Sequence, residues 1–353
     1  MPTRGSDGQV IAPPDTYAPS CAVVVCTRHR PQQLDRCLEA LSRLKYEYFH
    51  VVVVDNSSGD AQTREVAGRW GTTYIVEPVV GLSRARNRGA RTSDTEVVAF
   101  LDDDSLAEPD WLAGLAREFE DPRVMAAAGR TLPLSVETDA ERLCACMAGR
   151  DFGQFEPVRS IVDRQHPFWF QMANFGGIGD GGNMAFRRTA FDVWPGFHER
   201  LGRGSALHGG EEHHAFFSLI DRGSRVVYTS LAVTRHPFPR TMEDLRARHL
   251  RDLTAATAYI TLMFAEEPRY RRLLARYVYE ALKGSRRSWR REGITLRPRI
   301  VPRWHMLLAW LSGPLLYART RCMVGVNGHL ERPLRRVAVS DDQVTAPRCP
   351  SRR

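Results

Sequence analysis

The stretch AVVVCTRHRPQQLDRCLEALSRLKYEYFHVVVVD, from Ala22 to Asp55, predicts the fold. It begins with a short apolar run and passes through a polar loop. Leucines at helical spacing follow (Leu34, Leu38, Leu41 and Leu44), and a second valine run closes the stretch. Strand, helix and strand in this order indicate a βαβ unit. Uninterrupted valine runs are typical of parallel strands that are buried on both faces.

The same alternation continues along the chain. We expect a strand at Thr73–Val76, a helix around Ser83–Arg91, and further strands at Glu96–Leu101, Val124–Gly129 and Val226–Tyr228. The pattern predicts an α/β protein whose mostly parallel mixed sheet is flanked by helices. From about residue 143 to residue 182, aromatic and glycine residues predict loops over a site rather than sheet core.

Composition permits an enzyme without requiring one, since 43% hydrophobic and 26% charged residues are ordinary for a globular protein. The seven cysteines are odd in number and lack CxxC pairs, which argues against a zinc ribbon or a disulfide framework and favours a reducing cytoplasm. Residues 1–20 are expected to form a disordered leader. The uncharged run between Arg303 and Arg319 is shorter than the ~18–20 apolar residues that span a bilayer.

Positive charge is concentrated in the last third of the chain. The net charge is +9, and arginines surround an apolar helical pattern between Tyr270 and Leu282. This amphipathic helix either docks on the core with a basic outer face or lies on a membrane surface. We expect a possible anionic membrane partner and no nucleic acid, because no stacking motif accompanies the arginines.

Three consecutive carboxylates, Asp102-Asp103-Asp104, follow the apolar run that ends at Leu101. In extended chain Asp102 and Asp104 project to one side and Asp103 to the other. A divalent cation could therefore be bound by Asp104 and, directly or through water, by Asp102. The alternative is a solvated acidic turn.

Other candidates lie at the ends of predicted elements. Asp55 ends a strand, where it could bind a nucleobase or ribose or simply cap a helix. The segment Gly81–Gly89 offers three arginines to a diphosphate, unless it is an exposed basic helix. A turn at Gly181-Gly-Asn183, two carboxylates at a helix start in Gly209–His214, and a late His236 complete the set.

In this order the motifs resemble those of the family-two inverting glycosyltransferases with the GT-A fold, over about residues 22–239. The motifs that carry the resemblance are Thr27–Arg30, Asp55, Arg86-Asn87-Arg88-Gly89, Asp102-Asp103-Asp104, Gly181-Gly182-Asn183, Gly210-Glu211-Glu212 and His236.

The resemblance implies roles for these residues. Asp55 and the Thr27–Arg28 loop would hold the nucleobase of the donor, Arg86 would support its diphosphate, and Asp102 would face its ribose. Asp104 with His236 would ligate Mn²⁺ or Mg²⁺, with Asp102 as a further candidate ligand. The remaining candidates for the nucleotide-sugar site are Arg30, Asn87, Asp103, Gly182 and Asn183.

The catalytic base implied by the resemblance is less well defined. The family usually has Glu-Asp where this chain has Glu211-Glu212, so Glu212 is the expected base and Glu211 the reserve. The expected reaction is a metal-dependent, inverting single displacement from a nucleotide-diphosphate-sugar to a saccharide, lipid-linked or small-molecule acceptor. The alternatives are nucleotidyl transfer to a sugar phosphate and non-catalytic binding of a sugar nucleotide.

The resemblance also suggests a division of the chain. A glycosyltransferase domain at 21–240 would have a nucleotide-binding half (21–130) and an acceptor-binding half (131–240). A basic helical extension (241–335) and a disordered tail (336–353) would follow. We expect a cytoplasmic protein that could sit peripherally on the inner face of the cell membrane.

Overall fold

The computed structural model describes residues 17–147, 158–282 and 300–323. The predicted leader lies outside this part of the chain except for residues 17–20, and the predicted tail lies wholly outside it.

The first half of the chain folds as a regular alternation of strands and helices. The predicted strands and helices all form, with ends shifted by one or two residues, except that α1 ends at Leu41 and leaves the predicted Leu44 outside the helix. The elements are β1 (Cys21–Thr27), α1 (Pro31–Leu41), β2 (Phe49–Asp55), α2 (Ala61–Arg69), β3 (Thr73–Val76), α3 (Leu82–Thr92) and β4 (Val97–Asp102).

The second half contains the strands predicted at Val124–Gly129 and Val226–Tyr228 and the helix predicted to start in Gly209–His214, together with shorter strands and helices that were not predicted. The elements are β5 (Leu106–Ala107), α4 (Trp111–Ala116), β6 (Val124–Pro133), α5 (Asp139–Met147), β7 (Arg159–Val162), α6 (Trp169–Asn174), β8 (Asn183–Arg187), α7 (Ala190–Val193), α8 (Glu211–Asp221) and β9 (Arg225–His236). The strand predicted at Val226–Tyr228 is therefore much longer, and His236 is its last residue rather than a residue that follows it.

One mixed sheet contains all nine described strands, in the order β3-β2-β1-β4-β8-β6-β9-β5, with β7 also paired to β9. Strands β1 to β4 pair in parallel, and β6 pairs in parallel with β9. Strand β8 runs antiparallel between β4 and β6. The predicted α/β class with a mixed sheet flanked by helices is confirmed.

Both faces of the sheet are buried, as the valine runs predicted. In β1, Val24 belongs to the apolar cluster on one face, whereas Val23 and Val25 belong to the cluster on the other. Alternate residues of a strand point to opposite faces, so a strand that is apolar at every position needs cover on both sides.

Three helices follow the sheet: α9 (Met242–Glu266), α10 (Arg271–Leu282) and α11 (Arg303–Met323). Tyr259, Leu274 and Tyr317, one from each helix, are buried in the same apolar cluster as one face of the sheet. The helical extension therefore shares its core with the sheet. Within the described residues, no helix combines the length and apolarity needed to cross a bilayer.

The aromatic segment is more regular than expected, since it contributes α6 and β7. Phe170 is buried, and Trp169 stacks on Phe217 with ring centroids 6.0 Å apart. These side chains pack against the helices and do not line the cleft described below. Phe152 and Phe155 lie outside the described residues.

Candidate active site

A cleft of about 910 Å³ opens at the carboxyl ends of β1 and β4. The start of β8, the first turn of α8 and one face of α9 complete its walls. Ligands of open α/β sheets bind at this edge, outside the carboxyl ends of the strands. The volume falls within the range of small-molecule and cofactor sites, roughly 300–1,000 Å³.

Asp102, Asp104 and His236 form a compact cluster in the cleft. Asp102 ends β4, and Asp104 lies in the turn that leads to β5. Because β5 pairs with β9 through Leu106 and Arg235, the next residue of β9, His236, lies beside the turn. The His236 Nε2 is 3.3 Å from the Asp104 Oδ1, and potential ligand atoms of the three residues all lie within 4.8 Å of one another.

The chemistry of this cluster fits a divalent cation. Burial acts to raise the pKa of Asp104, but the hydrogen bond from His236 and the charges of His236 and Arg30 outweigh it, so the pKa lies below its ordinary value. Asp104 is therefore an anionic ligand at neutral pH. Carboxylates suit both Mg²⁺ and Mn²⁺, whereas an imidazole suits a transition metal better than Mg²⁺.

Asp103 binds other partners than this cluster, as predicted, although Asp103 and Asp104 lie in the turn after β4 and not in extended chain. Its carboxylate accepts a hydrogen bond of 2.7 Å from the Thr27 Oγ1 and one of 3.3 Å from the Arg30 Nη1. Burial raises the pKa of Asp103 to about 6. These contacts join the loop after β1 to the aspartate turn, and Arg28 lines the cleft from the same loop.

Arg86 lies under the cleft and connects three of the predicted motifs. Its side chain is only 3% exposed. It donates to the Glu211 Oε1 at 2.8 Å, to the backbone oxygen of Gly181 at 2.8 Å and to the Asp102 Oδ1 at 3.3 Å. Both terminal nitrogens thus bind protein oxygens. The contact of Arg86 with a diphosphate, which the resemblance implies, stays a prediction.

Glu211 and Glu212 begin α8 after Gly210, whose φ of +84° favours glycine. Glu211 is buried against Arg86, whereas Glu212 is partly exposed in the cleft. Burial, together with the negative charge of Glu211, raises the pKa of Glu212 to about 8. Both side chains line the cleft, but the Glu211 carboxylate is bound to Arg86, so Glu212 is the one of the two that can exchange a proton near neutral pH.

Glycine is required where β8 begins beside β4. Leu101 pairs with Asn183, so Gly182 lies next to Asp102. A Cβ at Gly182 would collide with the carboxylate of Asp102, and one at Gly181 would crowd the Arg86 guanidinium. The double glycine therefore allows the backbone to approach both charged side chains.

The structure places three predicted nucleotide-sugar residues outside the cleft lining. Asp55 is buried and accepts hydrogen bonds from Ser57, Asp60 and Tyr74. Two other residues, Asn87 and Asn183, are also fully buried. The side chain of Asn87 binds the backbone of Phe197. The side chain of Asn183 binds Trp111, Arg130, Ala232 and Thr234.

The physical reason is that a buried polar side chain must find partners, and here neighbouring loops, strands and helices supply them. These three residues hold the scaffold in the structure. Their predicted contacts with a nucleotide sugar are not tested by this geometry.

The sequence did not reveal that α9 and His213 line the cleft. Arg248, Asp252, Ala255 and Tyr259 line the cleft from one face of α9, at the helical spacing that could have revealed a shared face. Burial lowers the pKa of His213 to about 4, so this imidazole beside Glu212 is neutral at pH 7.

Comparisons with known proteins identify similar glycosyltransferases. Residues 22–193 match the family model described as glycosyl transferase family 2. A glucosyl-dolichyl phosphate glucuronosyltransferase from Haloferax volcanii is 27% identical over 237 residues, which cover 61% of this chain and 68% of that protein. A pre-mycofactocin glycosyltransferase from Mycobacterium tuberculosis is 26% identical over 248 residues, which cover 69% of this chain but only 48% of that protein.

A solved structure has the same fold. It is a mannosyltransferase from Pyrobaculum calidifontis in complex with GDP-Man and Mn²⁺. The likeness has a TM-score of 0.53 at 19% identity and covers 89% of this chain and 77% of that chain.

Proposed function

We infer that this chain, which belongs to glycosyltransferase family 2 and has the GT-A fold, transfers a sugar from a nucleotide-diphosphate-sugar donor to an acceptor hydroxyl with inversion. The observation that carries this proposal is the convergence of Asp102, Asp104, His236 and Glu212 on one cleft. A cation-binding cluster and a titratable carboxylate side by side meet the two needs of this reaction, a stabilised leaving group and a base.

Glu212 acts as the general base in this proposal. The acceptor oxygen attacks the anomeric carbon while its proton passes to the Glu212 carboxylate. The bond from the anomeric carbon to the diphosphate breaks, and the nucleoside diphosphate leaves with the electron pair. A single displacement of this kind inverts the configuration and needs one base. Glu212 lines the cleft, whereas its neighbour Glu211 is bound to Arg86.

Asp104 and His236, with Asp102, would hold Mn²⁺ or Mg²⁺. A bound cation at this position would stabilise the negative charge of the departing diphosphate. The mixed carboxylate and imidazole set favours Mn²⁺, the ion present in the solved mannosyltransferase.

The loop after β1 would take the nucleotide, with Thr27, Arg28 and Arg30 as its polar contacts. We assign Arg86 an indirect role, because its guanidinium already binds protein oxygens. By holding Asp102 and Glu211 in place it would position groups on either side of the sugar.

The acceptor is proposed in general terms: a saccharide, a lipid-linked glycan or another small molecule, in the synthesis of a glycoconjugate. The relatives include a glucosyl-dolichyl phosphate glucuronosyltransferase and a pre-mycofactocin glycosyltransferase. The basic C-terminal helices fit a cytoplasmic enzyme that binds peripherally to an anionic membrane surface.

A donor screen tests the proposal. Purified protein is incubated with Mn²⁺, mixed acceptors and one nucleotide-sugar at a time, and released UDP, GDP, CDP or dTDP is measured. We expect one nucleoside diphosphate to be released in an acceptor-dependent way, with no pyrophosphate from nucleoside triphosphates. Pyrophosphate release with a sugar phosphate would instead identify a nucleotidyltransferase, and binding without turnover would identify a non-catalytic binder.

A further inference from the structure

Helix α11 presents an apolar stripe to solvent. The side chains of Trp304, Leu307, Leu308, Leu311 and Leu315 are between 52% and 66% exposed. Their spacing of three and four residues places them along one face of the helix. We call these five residues the α11 stripe. A contiguous patch of large apolar side chains usually marks a surface that meets a partner or a membrane.

The opposite face of α11 is fixed to α9, which keeps the α11 stripe pointing outward. The Thr257 Oγ1 donates to the backbone oxygen of Ala309 at 3.2 Å, and the Tyr317 hydroxyl donates to the Glu266 Oε1 at 2.9 Å. Gly313 lies so close to Thr257 that a Cβ would collide with it. The helix cannot turn to bury its leucines without breaking these contacts.

Exposed apolar side chains are concentrated in this part of the molecule. Among the side chains that the structure describes, eight of the seventeen large exposed hydrophobic residues lie between Phe264 and Leu315. The other nine are spread over the remainder of the described chain. The α11 stripe therefore belongs to a stretch of the chain that is rich in exposed apolar side chains.

Positive charge occupies the same part of the sequence. Residues 269–321 contain fourteen Lys and Arg but only two Glu, an excess of +12 that exceeds the +9 of the whole chain. The rest of the protein is therefore net acidic. Arg269, Arg271 and Arg272 are exposed among the described residues. Two copies of the chain would both carry this excess of positive charge and repel each other, whereas an anionic bilayer complements both the charge and the α11 stripe.

We propose that α11 is an interfacial helix that inserts its apolar stripe into the headgroup and acyl boundary of an anionic lipid bilayer, while exposed arginines of the C-terminal helices, including Arg319 of α11, bind lipid headgroups. This deepens the membrane contact proposed above, and it does not depend on the transfer reaction. With its other face docked on α9, the helix lies on the bilayer rather than across it. Because α9 also lines the cleft, the active site is held at the membrane surface.

Vesicle binding by the full chain tests the proposal. The parent, the double variant Leu307→Ser/Leu311→Ser and the control Val193→Ser/Leu231→Ser are sedimented with phosphatidylcholine vesicles that contain or lack phosphatidylglycerol. The control removes two apolar side chains of similar exposure, 55% and 45%, far from α11 in the sequence. We expect the parent and the control to bind anionic vesicles equally. Since each buried leucine contributes appreciably, the α11 double variant should bind at least about tenfold more weakly.

Three results would overturn the proposal. One is equal vesicle binding by the parent and the α11 double variant, or no binding by either. Another is a marked fall in the thermal midpoint of the double variant, which would show that protein already covers the stripe. The third is a parent dimer that this variant dissociates, without lipid binding, which would make the stripe an interface between copies.

A second readout places the helix at the membrane directly. Brominated lipids should quench the fluorescence of the parent more than that of Trp304→Phe, and equal quenching would contradict insertion of the stripe.

Transfer to a water-soluble acceptor without vesicles should be the same in the parent and the double variant. Failure of that transfer in the parent would count against the proposed enzyme while leaving the vesicle result intact.

Discussion

Glu211 and Glu212 are neighbours in sequence, yet their surroundings give them different properties. Glu211 forms a buried ion pair with Arg86, with 2.8 Å between the Glu211 Oε1 and the Arg86 Nη1. Glu212 faces the cleft, and no cation lies as close to it among its described contacts. Similar side chains on one helix turn can thus divide into a structural group and a proton acceptor, because their environments move the pKa values apart.

Glu212→Gln should abolish transfer and spare the fold. Gln keeps the shape of the side chain but cannot accept the acceptor proton, so we expect kcat to fall by at least about 10²-fold. Donor binding, measured by calorimetry, should be unchanged. As the comparison, Glu211→Gln weakens the ion pair with Arg86 and should lower the free energy of unfolding by about 1.5–3 kcal/mol. Wild-type turnover in Glu212→Gln would remove Glu212 from the role of base.

The pH dependence of activity should report the same residue. Burial and the charge of Glu211 raise the pKa of Glu212 to about 8, and only the ionised carboxylate can accept a proton. We therefore expect kcat/KM to fall by about tenfold per pH unit below that pKa and to level off above it. The measurement is a profile from pH 6 to pH 9 at saturating Mn²⁺. A flat profile would contradict a base with a raised pKa.

At the scale of elements, the site depends on how strands meet. The antiparallel insertion of β8 beside β4 brings Gly182 to Asp102, and the short pairing of β5 with β9 brings His236 to Asp104. Each of these contacts joins residues far apart in the chain. The site is therefore as sensitive to strand register as to the identity of its ligands.

Gly182→Ala should damage the cation site through the backbone of β8. The added methyl group collides with the Asp102 carboxylate, so we expect Mn²⁺ affinity to drop by about tenfold, with loss of activity. Calorimetric titration with Mn²⁺ measures the effect. Gly68→Ala is the matched control, because Gly68 lies in helix α2 with open space around it. That variant should gain up to about 1 kcal/mol of stability and keep Mn²⁺ binding. Equal Mn²⁺ affinity in both variants would show that Asp102 is not a ligand.

At the scale of the whole molecule, a cation would connect the end of β4 with the end of β9. Asp102 ends β4 and Asp104 lies in the turn after it, whereas His236 ends the last strand before the C-terminal helices. Binding to these three residues selects the folded state, in which they lie together. Metal binding should therefore stabilise the fold as a whole.

Mn²⁺ should raise the thermal midpoint, and a chelator should reverse the shift and remove activity. At 100 times the dissociation constant, binding stabilises a folded protein by about 2.7 kcal/mol, which corresponds to several degrees. Scanning calorimetry with Mn²⁺ and with EDTA measures it. Asp104→Asn should lose the shift, whereas Glu65→Gln, an exposed change on α2, should retain it. Full activity in EDTA would contradict a metal-dependent reaction.

Local pattern was sufficient for much of the fold. The valine runs of β1 and β2 and the leucines of α1 each required a definite structure, because burial on two faces and helical amphipathicity are properties of short segments. The grouping of Asp102 with Asp104, apart from Asp103, was predicted from the period of extended chain, although the structure achieves it with Asp103 and Asp104 in the turn after β4. The ordered motifs also predicted a family-two glycosyltransferase, which the comparisons confirm.

Other features depended on contacts between distant residues, which no short segment encodes. Only the folded chain showed that Arg86 is bound by Glu211 and Gly181, that Asp55 and Asn183 are committed to loop and strand partners, and that α9 lines the cleft. The exposure of the α11 stripe is equally tertiary. An apolar helical face looks the same in sequence whether it is docked or open, and only the packing of the opposite face on α9 determines which side meets the surroundings.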